Sequence, residues 1–118
     1  MSIILEKSQK LAIRIYHLYK HLYDEKQEHM LSTQMFHSGT SFGAYIAESQ
    51  YAVNRNDFIT ITKKSLKECA ETEYWLCLLK DIDLLSREEY ANYIVAFKEI
   101  SRLLIATLKT ADMISEDG

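Results

Sequence analysis

The stretch Ser86-Arg87-Glu88-Glu89-Tyr90-Ala91-Asn92-Tyr93-Ile94-Val95-Ala96-Phe97-Lys98-Glu99-Ile100-Ser101-Arg102-Leu103-Leu104 decides the fold class. Ser86 with Glu89 three residues on forms a capping box, in which each side chain satisfies a free amide of a starting helix. Beyond it Tyr90, Tyr93, Phe97, Ile100, Leu104, Thr107 and Ala111 recur in alternating steps of three and four, with Ile94, Ile105 and Leu108 on the flank. That is the apolar face of a long amphipathic helix. The same periodicity recurs upstream. Ile4, Leu11, Ile15, Leu18 and Leu22 form one seam, with Ser8 at the missing step and a second stripe of Ala12, Tyr16, Tyr19 and Tyr23 beside it. Met35, Ser38, Phe42, Ile46 and Ser49 form another. A third joins Phe58, Ile61, Ser65, Thr72, Trp75 and Leu79, flanked by Ile59, Leu66, Cys69 and Leu76.

The pattern predicts helices over about 3–23, 33–51, 57–80 and 87–113, with a polar tail at Ser115 to Gly118. Ser32 is placed to cap the second helix, with Leu31 and Phe36 as a hydrophobic staple, and either Asn54 or Asn56 to cap the third. With no proline and only three glycines in 118 residues, the chain lacks the turn residues that a sandwich or barrel needs. The expectation is one all-α domain, an antiparallel up-down-up-down four-helix bundle. Gly39 and Gly43 fall inside the second helix, where glycine costs roughly 0.5–1 kcal/mol relative to alanine. Close approach of neighbouring helices is the physical reason for such residues there.

Net charge is -3, so no strongly basic domain points to nucleic acid, and the mild acidity belongs to the C-terminal half. Hydrophobic residues make up 47% of the chain, yet no apolar run approaches the roughly 20 residues of a membrane-spanning helix. The N-terminal apolar run is too short for a signal peptide, so the chain reads as cytosolic. Cys69 and Cys77 are eight residues apart on one helix, about 12 Å by rise per residue, too far for a disulfide. They read as structural thiols.

Catalytic patterns are missing from the sequence. No Glu-x-x-His is present, which removes the di-iron carboxylate bundles. There is no Gly-rich phosphate loop, nucleophile elbow or Cys-x-x-Cys pair. His17 and His21, with Glu25 one turn on, share a face, but Lys20 and Lys26 beside them favour surface histidines over metal ligands. Glu68, Glu71 and Glu73 follow Lys63, Lys64 and Lys67 and read as a solvated face with a Lys64–Glu68 contact. The expectation is a protein without enzymatic activity, metal or cofactor.

One string is more specific. Gln34-Met35-Phe36-His37-Ser38-Gly39-Thr40-Ser41-Phe42-Gly43-Ala44-Tyr45-Ile46-Ala47-Glu48, then Arg55-Asn56-Asp57-Phe58, Leu66-Lys67-Glu68 and Glu71-Thr72-Glu73-Tyr74-Trp75-Leu76, closely resembles the bacterial 23S rRNA intervening-sequence proteins, over about residues 8–109. The same fold includes the accessory protein of diversity-generating retroelements. His37, Gly39, Ser41, Gly43, Tyr45, Glu48, Asp57, Phe58, Glu68, Glu71 and Trp75 occupy the family-motif positions, with His37 where the family usually has Arg and Tyr45 where it usually has Asn. The resemblance implies a non-enzymatic bundle assembling as a homopentamer, with RNA or a nucleic-acid-associated protein as partner. Since phosphate binding needs clustered cations, Arg55, Lys63, Lys64, Lys67 and Lys20 are the candidate contacts. The alternative is a protein–protein interaction module with no nucleic-acid role. Surplus apolar surface on the first two helices supports self-association under either reading.

Overall fold

The computed structural model describes residues 2–117, with side chains through residue 112. It is an all-α four-helix bundle: α1 (Ile3–Lys20), α2 (Met30–Ser49), α3 (Arg55–Asp81) and α4 (Arg87–Asp117) run up-down-up-down in a rod of 53 × 22 × 22 Å. The packing order is cyclic. α2 sits between α1 and α3, and α3 between α2 and α4, so α1 lies diagonal to α3. The α1–α4 side is the least packed and is bridged at its surface by the Lys7–Glu99 ion pair at 2.8 Å and by Arg14 over the Tyr93 ring at 4.7 Å.

Leu11, Ile15, Leu18, Leu22, Met35, Phe42, Ile46, Leu76, Leu79, Phe97, Ile100 and Leu104 fill the core. Phe42 of α2 meets Phe97 of α4 edge to face at 5.2 Å, tying diagonal helices together. Between α2 and α3 the core turns polar and small. Ser65 donates to the Phe42 carbonyl, and Thr72 donates to the Ser38 hydroxyl, both at 2.7 Å. Buried hydroxyls are stable only with such partners.

Gly39 lies at this crossing. A Cβ there would stand 2.8 Å from Cγ2 of Ile15 and 3.3 Å from Cγ2 of Thr72, so hydrogen at this position lets α1 and α3 both approach α2. Gly43 differs: a Cβ there would meet Ser8 at 3.6 Å, an ordinary contact.

The helix ends depart from the sequence expectation by two residues or more at five places, one of them the end of α2, which stops at Ser49 rather than 51. α1 does not stop at 23 but runs into a π-helical turn, His21–Glu25, closed by Gln27 at a positive φ of 56°. α2 begins at Met30 rather than 33, and Ser32 is not its cap. The Glu28 carboxylate accepts from the amides of Leu31 and Ser32 at 2.7 and 2.9 Å, because a carboxylate can satisfy two free amides and is favoured by the helix dipole. Ser32 is thereby drawn inside the helix, buried, and donates to the Glu28 carbonyl. Phe36 stacks on Tyr19 at 4.5 Å instead of forming a staple. α3 gains two residues at its start, with Asn54, not Asn56, accepting from the Asp57 amide at 2.8 Å. α4 keeps its Ser86–Glu89 capping box but continues to Asp117, through most of the expected tail; Gly118 lies outside the described residues.

Candidate nucleic-acid interface

The five candidate cations do not form one patch. Lys63 and Lys67 are exposed on the outermost stripe of α3, one turn apart and followed on that stripe by Ala70 and Tyr74. Lys64 points to the other side of α3, where its ammonium lies 5.9 Å from the centre of the Tyr45 ring of α2. The expected Lys64–Glu68 contact does not form, because Lys64 reaches across to α2. Lys20 is engaged by Asp24 at 2.9 Å on α1, and that hydrogen bond and charge raise the lysine's pKa. Arg55 opens α3 at the end of the bundle and makes an interaction of its own. It rims a cavity of about 500 Å³ lined also by Ser49, Phe58, Thr107 and Ala111.

A second stripe completes what Lys63 and Lys67 begin. The Lys98 ammonium of α4 pairs with Glu73 of α3 at 3.0 Å, which marks the α3/α4 flank. Arg102, Ile105 and Lys109 lie four, seven and eleven residues beyond Lys98 and so continue its stripe. All three are exposed. The α3/α4 side therefore carries Lys63, Lys67, Arg102 and Lys109, none in an ion pair among the described residues, and Glu73 on that flank is neutralised by Lys98. Sequence reasoning missed Arg102 and Lys109. Their spacing marked an exposed stripe, but nothing in the sequence said that α3 lies next to it.

Most of the motif residues lie on the α2/α3 face and at its ends, while Gly43 faces α1 against Ser8. Asp57 belongs to the α3 cap and also accepts from the Val53 amide at 3.1 Å, while Phe58 lines the end cavity. Glu48 is exposed near the end of α2, and Ser41 is half-buried. Trp75 borders a groove of about 430 Å³ beside Met30 and Gln34, and its indole N–H is covered without a hydrogen-bond partner. Glu68 is half-buried, and its Oε2 is covered with no partner. Burial first, and then the Glu71 charge, push its pKa up, while His37 across the seam pulls it down. Glu68 is thus part of the α2/α3 contact and not of a solvated lysine face.

Among the described residues no group of three or more His, Cys, Asp or Glu side chains is placed to hold a metal ion. His21 engages Glu25 on the π turn, and His17 packs against the Tyr16 ring. Cys69 and Cys77 are free thiols, and burial pushes Cys69 up to about 12, so it stays protonated and unreactive at neutral pH. Among the described residues no helix is long and apolar enough to cross a membrane.

This arrangement is matched elsewhere. A family model described as 23S rRNA-intervening sequence protein fits residues 2–106. The chain belongs to the 23S rRNA-intervening sequence protein family. One similar solved structure is a protein of unknown function from the S23 ribosomal protein family of Bacteroides thetaiotaomicron, 43% identical, with a TM-score of 0.89, covering 91% of this chain and 99% of that one. Comparison with curated proteins gives no match. At that identity the bundle and its helix order are common to both members of the family.

Proposed function

We propose that this family member is a non-enzymatic, self-associating scaffold of the cytoplasm, a homopentamer by family resemblance, that contacts RNA through its α3/α4 face. The observation that carries the reading is the set of cations Lys63, Lys67, Arg102 and Lys109, which form no ion pair among the described residues, on one side of a chain whose net charge is -3. In a mildly acidic protein, segregation of cations on one face is what gives a polyanion a place to dock. The family's description, which ties it to 23S rRNA, agrees with that chemistry. Lys64, Lys20 and Arg55 have lesser parts in this reading, since each is turned to another side or already engaged.

The test is binding to 23S rRNA fragments at two salt concentrations. Affinity should fall steeply with salt, and replacing all four cations with glutamine should lower both affinity and salt slope across sequences. Undetectable binding at low salt, or binding indifferent to salt and to those replacements, removes the RNA reading. A protein–protein module is the second reading. It is favoured by Tyr51 and Val53, 86% and 84% exposed in the α2–α3 connection, and it predicts capture of a protein partner unchanged by ribonuclease.

A further inference from the structure

The α2/α3 face and the α1/α4 face are opposite sides of the bundle, because α1 and α3 are diagonal. Their charges are complementary. On α2/α3, Glu68 and Glu71 stand one turn apart; Glu68 has one carboxylate oxygen covered without a donor, and neither forms an ion pair among the described residues. The nearest cations form no ion pair with them among the described residues: Lys67 stands one turn before Glu71 on the outer stripe, Lys64 lies over Tyr45, and His37, whose charge acts on Glu68, is exposed on α2. On α1/α4, a shallow groove is lined by Lys7, Lys10, Arg14 and Glu99 over Leu11 and Ile100. Lys7 is matched by Glu99, whereas Arg14 is exposed over the Tyr93 ring and forms no ion pair among the described residues.

The two sets also stand at one height along the rod. Gly39 is in reach of both Ile15 and Thr72, so these two share a layer, and Arg14 and Glu71 are their immediate neighbours in the chain. A second copy displaced sideways, with its axis parallel, brings its α1/α4 face onto this α2/α3 face with Arg14 level with Glu68 and Glu71. We propose that the Glu68–Glu71 pair is an incomplete ion-pair site filled by Arg14 of a second copy. A guanidinium offers several N–H donors to the open side of the half-covered carboxylate, which one protomer alone leaves unpaired. Because the two faces differ and lie on opposite sides, the contact is head-to-tail, repeats on each added copy, and closes into a ring when its rotation permits.

The inference rests on the self-association reading, and one experiment separates the two. Mass is measured by light scattering, with circular dichroism as the control for folding, for the parent chain, Glu68→Arg, Arg14→Glu and the double exchange. The expected result is an assembled parent, single reversals whose dissociation constant rises by about 10- to 100-fold, and recovery in the double exchange. Should a reversal fail to fold, Glu71→Gln and Arg14→Gln take its place, with smaller shifts in the same direction. A monomeric parent overturns self-association itself. An assembled parent whose variants also stay assembled, or whose double exchange does not recover, overturns this contact alone.

Discussion

At the scale of the residue, the paired glycines of α2 look equivalent in the sequence and are not. Gly39 has no room for a methyl group: Ile15 is β-branched, so its Cγ2 cannot swing away from a Cβ 2.8 Å distant. Gly39→Ala should destabilise by about 1–3 kcal/mol, the usual cost of overpacking, even after the gain in helix propensity. Gly43→Ala meets only ordinary contact with Ser8 and should gain about 0.5–1 kcal/mol, a rise of roughly 2–6 °C in Tm. Thermal melts of both variants check this; a rise in melting temperature for Gly39→Ala equal to that for Gly43→Ala would show the crossing to be looser than described. The notion that small residues let helices approach was legible in the sequence for both positions. Which of the two carries it depended on the register of α1 against α2.

At the scale of the element, periodicity placed all four helices, and the differences lie at their ends. Ends are decided by which side chain reaches the free amides, and several candidates compete within a few residues. Ser86 won as expected, Ser32 lost to Glu28, and Asn54 was chosen over Asn56. Asn54→Ala should cost about 1 kcal/mol and lower the melting temperature by several degrees, while Asn56→Ala, an exposed change, should stay within about 0.5 kcal/mol. Denaturant midpoints of the two variants decide it; a larger loss at Asn56 would reassign the cap. The π-helical turn at His21–Glu25 had no signal in the sequence, since one extra residue in a turn leaves the apolar spacing of Leu18 and Leu22 intact.

At the scale of the whole molecule, the bundle has three faces of different character. α3/α4 carries Lys63, Lys67, Arg102 and Lys109, α2/α3 holds Glu68 and Glu71, and α1/α4 holds Arg14. Glu68 makes the isolated protomer sensitive to pH. Its folded-state pKa is raised by burial and by Glu71, so the folded chain binds a proton more tightly than the unfolded one. Stability of the dilute protomer should fall as pH rises from the ordinary glutamate range through the raised folded value, then level off. Glu68→Gln should therefore raise the melting temperature of the dilute protein at neutral pH and leave it nearly unchanged in acid. A neutral-pH loss on that substitution at dilute concentration would mean that the carboxylate is already paired within one copy.

The sequence by itself determined the helical class, the helix count and the core stripes, because these follow from local spacing and from the absence of turn residues. It also carried the family, through a run of small and polar residues on α2 and α3. The tertiary structure decided which stripes share a face. Lys63 and Lys67 join Arg102 and Lys109, Lys64 turns away to Tyr45, and Glu68 ends up half-covered on the opposite side from Arg14. Helix periodicity gives each side chain an angle about its own axis and nothing about the neighbouring axis. Only packing, here set by Gly39, Ser65–Phe42 and Phe42–Phe97, supplies the second.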